Sequence, residues 1–251
     1  MNLILLRRAD FTSEQLAVIT GRRARHVLEV HRAEVGDSLS VGELGGKIGT
    51  GIVRALDDQA VTFEVELTHE PPPPSGLELL LAMPRPKILR RVLRGVASMG
   101  VKRVVLVNSF RVEKSYFGSP VLAAASLEEL LLEGLEQGRD TVLPEIVIEK
   151  RFKPFVEDRL GSLWPAQVAK VLPHPTVDRG VDGLALGGEK VVVAIGPEGG
   201  WIPYEVERLA AHGFQGFSLG PRILRVDTAV PFVLGQLELL RAQAKGRPGL
   251  A

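Results

Sequence analysis

Residues 191 to 201 read VVVAIGPEGGW. Five apolar residues in a row describe a buried strand. Gly196-Pro197 ends it, followed by a carboxylate, Glu198, two more glycines (Gly199, Gly200) and Trp201. Two other strand ends in the last third of the chain share this design: VLPHP stops at Pro173-His174-Pro175, and FSLGPRILRVDTA turns at Gly220-Pro221. Ends built of Gly and Pro leave backbone N–H and C=O groups uncovered, and ligands of open α/β sheets bind beyond the carboxyl ends of the strands. Together the three ends describe a small-molecule site held largely by backbone. The chargeable groups beside them are Glu198, Arg225 and Asp227. A positioned carboxylate can orient or receive a proton, and a guanidinium can stabilise a developing anion. Glu198 reads equally well as a charge near a helix N-terminus or an ion pair fixing its loop. Asp227 with Thr228 reads also as a brace for the last loop. His174, between two prolines, reads as a loop constraint rather than a catalyst, and Trp201 and Tyr204 read as core or dimer contacts ahead of stacking surfaces for a base.

Several common chemistries are absent. There is no GxxxxGK[ST] phosphate loop and no GxGxxG after an early strand; the glycines of GGKIGTG sit among short strands and read as hairpin turns. The chain has no cysteine, which excludes disulfide scaffolds and thiolate metal sites and fits a reducing cytoplasm. Its five histidines lack HxH or HxxxH spacing, so no metal is expected. MNLILLRRAD is too short in apolar residues, with its charges following them, for a signal peptide. No run is long enough to span a bilayer, and a cytoplasmic protein is expected.

The elements that must position these residues fall into two parts. HEPPPPSG (69–76) is a stiff spacer, so residues 1–70, a linker at 71–76 and residues 77–251 are the expected divisions. Before the prolines, residues 37–67 alternate with period two and are punctuated by Gly-Gly and Asp-Asp, predicting a small antiparallel barrel. TSEQLAVI (12–19) and RRARHVLEVHR (22–32) read as short helices ahead of it. After the prolines, apolar strands alternate with helices, predicting an α/β domain with a largely parallel sheet. Its last helix, of about twenty residues, is expected to break at Pro231. The net charge is only +1, but between Arg85 and Lys114 nine basic residues face Glu113 alone. Lys87, Arg90, Arg91 and Arg94 form the outer stripe of an amphipathic helix, and Arg22, Arg23, Arg25, His26, His31 and Arg32 make a second cluster. Such patches in a near-neutral chain suggest a polyanion, or else solvated helix faces balanced by distant acids.

AIGPEGGWIPYEVERLAAHGFQGFSLGPRILRVDTAV (194–230) resembles the C-terminal signature of the SPOUT methyltransferases, and more narrowly the RsmE family of 16S ribosomal RNA uridine-N3 methyltransferases. EQGRDTVLPEI (136–146) and RHVLEVHRAEVGD (25–37) resemble two further segments of that family. The chain departs from it in having Asp227 where Glu is usual and Ser98-Met99-Gly100 where Glu-Leu-Gly is frequent. The resemblance implies an N-terminal PUA-like β-barrel domain and a C-terminal α/β methyltransferase domain tied in a trefoil knot, a rarity among folds. It implies S-adenosylmethionine as cofactor, held by Leu172, Pro173, His174, Ile195, Gly196, Glu198, Gly199, Gly200, Leu219, Gly220, Ile223, Leu224, Thr228 and Ala229. Ile223 and Leu224 would give the adenine backbone and apolar contact. Arg225 and Glu198 are the expected catalytic pair. Arg22, Arg23, Arg25, His26, Arg32, Lys87, Arg90, Arg91 and Arg94 would grip the phosphates of ribosomal RNA or the small ribosomal subunit. A homodimer is implied, with no membrane contact. Two readings stay open beside this one: a related knotted enzyme acting on another ribosomal or transfer RNA nucleotide, and an RNA-binding protein of the same fold that has lost its cofactor.

Overall fold

The computed structural model describes residues 2–187 and 190–244. Among them the chain forms two compact units. The first comprises residues up to Pro73 together with Leu131–Leu143, and the second comprises Pro74–Leu130 and the chain from Pro144 onward.

The first unit is a five-stranded sheet in the order β1-β3-β4-β5-β2, with β1 (Ile4–Leu6) parallel to β3 (Ser38–Glu43) and the other neighbours antiparallel. Alternation drives it: in β5 (Ala60–His69) Val61, Phe63 and Val65 are buried, and β4 (Ile48–Leu56) contributes Val53 to the same core. The Gly45-Gly46 and Asp57-Asp58 turns join β3 to β4 and β4 to β5, as the sequence pattern predicts. TSEQLAVI is not a helix. Its second half is β2 (Leu16–Thr20), paired antiparallel with β5 and burying Ala17 and Ile19, because the β-branched run Val18-Ile19-Thr20 favours extended backbone, which sends alternate side chains to one face. The basic segment that follows is helical: α1 (Gly21–His26) runs into a π-turn over Val27–His31 that ends with Arg32 in the left-handed region at φ 51°. Within this unit Thr141, fully buried, donates its hydroxyl to Gly46 O at 2.6 Å and its carbonyl accepts from Gly45 N. A Cβ on Gly42 would stand 2.8 Å from the Thr141 methyl, so glycine is required there.

The second unit is a six-stranded, all-parallel sheet in the order β11-β9-β10-β6-β7-β8. The central strands, β6 (Leu77–Ala82) and β10 (Val191–Ile195), are buried at every position, as strands covered on both faces must be. β7 (Arg103–Val107) and β8 (Glu145–Glu149) extend the sheet to one side, β9 (Ala169–Pro173) and β11 (Phe214–Phe217) to the other. The chain runs outward from β6 to β8, crosses to β9, and then inserts β10 between β9 and β6. Helix α2 (Pro86–Ser98) buries Ile88, Leu89, Val92, Leu93, Val96 and Ala97, while Lys87, Arg90 and Arg91 are exposed. α3 (Ala124–Gly138) begins in this unit, and its residues from Leu131 belong with the first. Two short turns, α4 (Phe152–Pro154) and α5 (Leu160–Leu163), precede β9, and α6 (Pro203–Ala211) lies between β10 and β11.

The last helix, α7 (Val226–Ala244), does not break at Pro231. Proline there only forgoes the amide bond to the carbonyl four residues back, and the flanking Val230, Val233 and Leu234 are fully buried against the unit. Among the described residues no helix is long and apolar enough to cross a membrane.

One pair in the first unit yields a stability test. Glu136 is 1% exposed, and burial pushes its carboxyl pKa above the ordinary 4.5, against the opposing pull of Arg22 at 3.2 Å. A raised folded-state pKa means that ionising Glu136 costs stability as pH climbs through that value. Arg22→Ala should therefore destabilise by about 1–2 kcal/mol at pH 7, the half-exposed guanidinium being partly screened. The penalty should shrink below pH 4.5, where the carboxyl is protonated folded or unfolded. Denaturant titrations of both proteins across pH 4 to 8 check this; a pH-independent difference would exclude the assignment.

Candidate active site

Parallel strands align their carboxyl ends on one edge of the sheet, so the turns that follow β9, β10 and β11 are brought together. They enclose a cavity of about 420 Å³, within the roughly 300–1,000 Å³ typical of small-molecule sites. Its wall comprises Pro173, His174 and Pro175 after β9, Ile195 through Trp201 after β10, and Leu219, Gly220, Arg222, Ile223, Leu224, Val226 and Ala229 after β11. Arg111, from the loop after β7, completes it.

The β10 turn is held by hydrogen bonds in three directions. Gly200 N donates to Pro197 O at 2.7 Å, with Gly200 at φ 74°, a left-handed conformation that suits glycine. Glu198 Oε1 accepts from the backbone N of Arg85, the residue before α2, at 3.2 Å. Arg111 donates its guanidinium to the carbonyl of Gly199. A Cβ on Gly196 would stand only 3.0 Å from Trp201 N, so the backbone there would have to give by a few tenths of an ångström to admit one. A Cβ on Gly199 would meet Arg111 Cδ at 2.9 Å. Trp201 is 4% exposed, its ring 5.8 Å from that of Phe152, and its indole Nε1 is buried without a hydrogen-bond acceptor among the described residues.

The β9 and β11 turns fasten each other: His174 N donates to Phe217 O at 2.8 Å, and Ser218 N to Arg179 O at 2.7 Å. The His174 ring sits 2.9 Å from Thr176 Oγ1 at Nδ1, and burial lowers its pKa, so the imidazole is neutral near pH 7. Gly220, at φ 102°, lets the chain turn back into the cavity wall. Beyond it, Asp227 opens α7 and carries an ion-pair network. It is 14% exposed, lies 2.9 Å from Arg91 of α2 and 3.6 Å from Arg225 Nε.

Most of the expected cofactor residues thus converge: Pro173, His174, Ile195, Gly196, Glu198, Gly199, Gly200, Leu219, Gly220, Ile223, Leu224 and Ala229 line the cavity. Leu172 does not, because it is 2% exposed within β9 and belongs to the core. Thr228 is exposed on the first turn of α7, off the wall. Arg225 stands between two lining residues, 75% exposed, its side chain reaching toward Asp227. Of the basic residues, Arg23 is engaged bidentately by Asp10 and also donates to Leu5 O at 2.9 Å, and Arg22 pairs with Glu136. Arg25 and Arg32 are exposed, and His26 is half-buried with its pKa lowered mainly by burial. Lys87 and Arg90 point outward from α2, Arg91 is committed to Asp227, and Arg94 is partly buried.

Sequence reasoning missed Arg111, Arg222 and Trp201 as wall residues, and Glu205, which holds the neighbours of Arg111 and Trp201. Glu205 is 2% exposed; its Oε2 accepts from Ile202 N at 3.0 Å and its Oε1 from Phe110 N at 2.8 Å. The signal for Arg111 was available, since it follows a strand end in the same sheet.

Residues 71–238 match the family model of the RNA methyltransferase domain. The chain is 30% identical over 233 residues to ribosomal RNA small subunit methyltransferase E of Treponema pallidum, covering 91% of this chain and 87% of that protein. It is 25% identical to ribosomal RNA small subunit methyltransferase E 1 of Borreliella burgdorferi, covering 91% and 94%. The fold is similar to the crystal structure of a ribosomal RNA small subunit methyltransferase E from Neisseria gonorrhoeae bound to S-adenosyl methionine, with TM-score 0.75, 20% identity, and 95% and 98% of the two chains covered.

Two glycines provide a direct check on the geometry. Gly196→Ala should destabilise by about 1–3 kcal/mol, because the backbone of Trp201 must move, and should shift the Trp201 emission. Gly95→Ala, in the interior of α2 with nothing among the described residues, its own helix backbone aside, within 4 Å of the added methyl, should instead stabilise by up to about 1 kcal/mol. Thermal unfolding followed by fluorescence separates them; equal and neutral effects would mean that the turn is slack.

Proposed function

We propose a site-level chemistry from one premise: this chain belongs to the RNA methyltransferase family, among its ribosomal RNA small subunit methyltransferase E members. It is an RNA methyltransferase acting on small-subunit ribosomal RNA. On our reading the methyl acceptor is N3 of a uridine and the donor is S-adenosylmethionine, held in the cavity beyond β9, β10 and β11.

The observation that carries this reading is the convergence of the three Gly/Pro turns on one cavity. The wall suits the donor. Ile195, Leu219, Ile223, Leu224 and Ala229 offer an adenine ring apolar surface, and the uncovered amides and carbonyls of the turns offer its polar edges partners. The buried, unpartnered Nε1–H of Trp201 supplies a donor that a ligand acceptor would satisfy. Glu198 is a carboxylate on the cavity wall, and its charge would favour a sulfonium held there.

When bound, S-adenosylmethionine supplies an electrophilic methyl group. The protein's work is to align the uracil in line with it and to manage the N3 proton. Loss of that proton to water spreads negative charge over O2 and O4, and Arg225 is the residue assigned to stabilise it. Its 75% exposure and long reach to Asp227 leave it able to turn toward an entering base. Glu198, steadied through Oε1 by the Arg85 amide, orients the ring with its other oxygen. Arg25, Arg32, Lys87 and Arg90 are placed outward to meet phosphates, which positions RNA without reading its sequence.

Four structural expectations belong with this reading. The last strands tie a trefoil knot, which the insertion of β10 between β9 and β6 supports. Residues 1–70 form a PUA-like barrel, which the five-stranded antiparallel-rich sheet supports, with 71–76 as linker and 77–251 as the catalytic domain, of which Leu131–Leu143 group with the first unit. The protein is a homodimer, for which Phe232 and Leu239 leave apolar surface exposed on α7. It works in the cytoplasm.

Calorimetry tests the cofactor site: one S-adenosylmethionine should bind per chain, and Gly199→Val should abolish binding, since its side chain displaces Arg111. Nucleoside mass spectrometry of treated small-subunit ribosomal RNA should show 3-methyluridine. Arg225→Ala should lower kcat about 10²- to 10³-fold with cofactor affinity unchanged. Absence of cofactor binding by the folded protein would sink the assignment, and a different methylated nucleoside would correct its target.

A further inference from the structure

Phe110 is the most exposed Phe, Tyr or Trp among the described residues, at 79%, against 44% for Tyr204 and Phe232. It sits in the loop after β7, where the chain alternates its commitments. Ser109 and Val112 are buried at 5% and 8%, and Val112 N donates to Ser109 O at 3.1 Å, which turns Phe110 and Arg111 outward. The loop is fastened at its start, where Asn108 N donates to Glu149 O at 2.9 Å and Asn108 Nδ2 to Lys150 O at 3.2 Å. It is fastened again at Phe110 itself, whose N–H donates to the buried Glu205 at 2.8 Å. The next residue, Arg111, lines the cavity and donates to Gly199 O. An aromatic ring is thus held out into solvent on a fixed backbone, one residue from the wall of the cavity.

Core packing does not account for a ring so exposed, and a loop free to move would not be tied to a buried carboxylate. Unpaired RNA bases are recognised by stacking on aromatic side chains and on guanidinium planes, with little dependence on sequence. Phe110 with Arg111 beside it offers both at the rim of the methyl-transfer site. We propose that Phe110 is the stacking platform that receives a splayed-out base of the RNA substrate at the mouth of the cavity. This rests on the RNA methyltransferase reading, makes Phe110 a positioning residue, and gives the buried Glu205 its purpose as the anchor of that platform.

The test uses the full chain and needs no cofactor for its first readout. Phe110→Trp places an exposed indole in a protein whose own tryptophans, Trp164 and Trp201, are 1% and 4% exposed. Its emission should be quenched by single-stranded oligouridylate and not by an RNA duplex of the same length, after subtraction of the parent protein's response. Phe110→Ala should raise the KM for ribosomal RNA about tenfold, Phe110→Tyr should restore it, and calorimetric binding of S-adenosylmethionine should be the same in all three. Equal quenching by duplex, or a KM indifferent to Phe110→Ala, would overturn the proposal. So would a change in sedimentation of Phe110→Ala, which would mean that a second copy of the chain covers the ring. Failure of the parent protein to bind S-adenosylmethionine while the quenching persists would instead overturn the methyltransferase reading and leave the stacking surface standing.

Discussion

The site depends on one constraint: the turn at Gly196–Gly200 is hydrogen-bonded to the loops of two other strands. Glu198 reaches the amide of Arg85, beyond β6, and Gly199 O receives Arg111, beyond β7. A turn built of Gly and Pro has no side chains to pack, so its conformation must come from its backbone groups and from what meets them. Here the neighbours meet them, and the turn becomes as definite as the parallel sheet beneath it. Glycine at 196 and 199 is favoured by the closeness of Trp201 and Arg111 rather than by flexibility.

A second layer of order comes from ion pairs that span distant parts of the chain. Asp227, at the start of α7, lies between Arg91 and Arg225, which joins the basic helix α2 to the last turn of the cavity. A carboxylate on the first turn of a helix is favourably placed against the helix dipole, and two guanidinium groups add to that. The arrangement makes Asp227 a brace and leaves Arg225 as its more exposed partner. In the first unit, Arg22 and Arg23 are similarly occupied by Glu136 and Asp10, so the cation cluster seen in the sequence is smaller on the surface than its residue types suggest. Charge that is paired inside a unit contributes little to attracting a polyanion.

Glu205 illustrates how support for a site lies outside the motifs that announce it. Its side chain caps the start of α6 through Ile202 N and holds Phe110 N with the other oxygen. A buried carboxylate is tolerated because both oxygens accept hydrogen bonds, and its removal would loosen two loops of the cavity together.

The class of fold and the place of the cavity were legible along the chain. The apolar run at 191–195 and the run at 77–82, apolar but for Glu78, announce parallel strands buried on both faces. Gly-Pro and Pro-His-Pro at strand ends announce turns of bare backbone, and strand geometry places those ends together. These are local signals, readable wherever periodicity and residue type decide the outcome. Leu16–Thr20 was less legible, since a short segment takes its structure from its partner strand, and so was the passage of α7 through Pro231, which burial on either side sustains. Tertiary structure alone decided the partners: Arg111 with Gly199, Phe110 with Glu205 and Arg91 with Asp227 are separated by 88, 95 and 136 positions. No period or motif relates residues so far apart. Their meeting is settled only when the sheet has set its strand order, because hydrogen bonds and ion pairs act over a few ångströms and carry no signature along the chain.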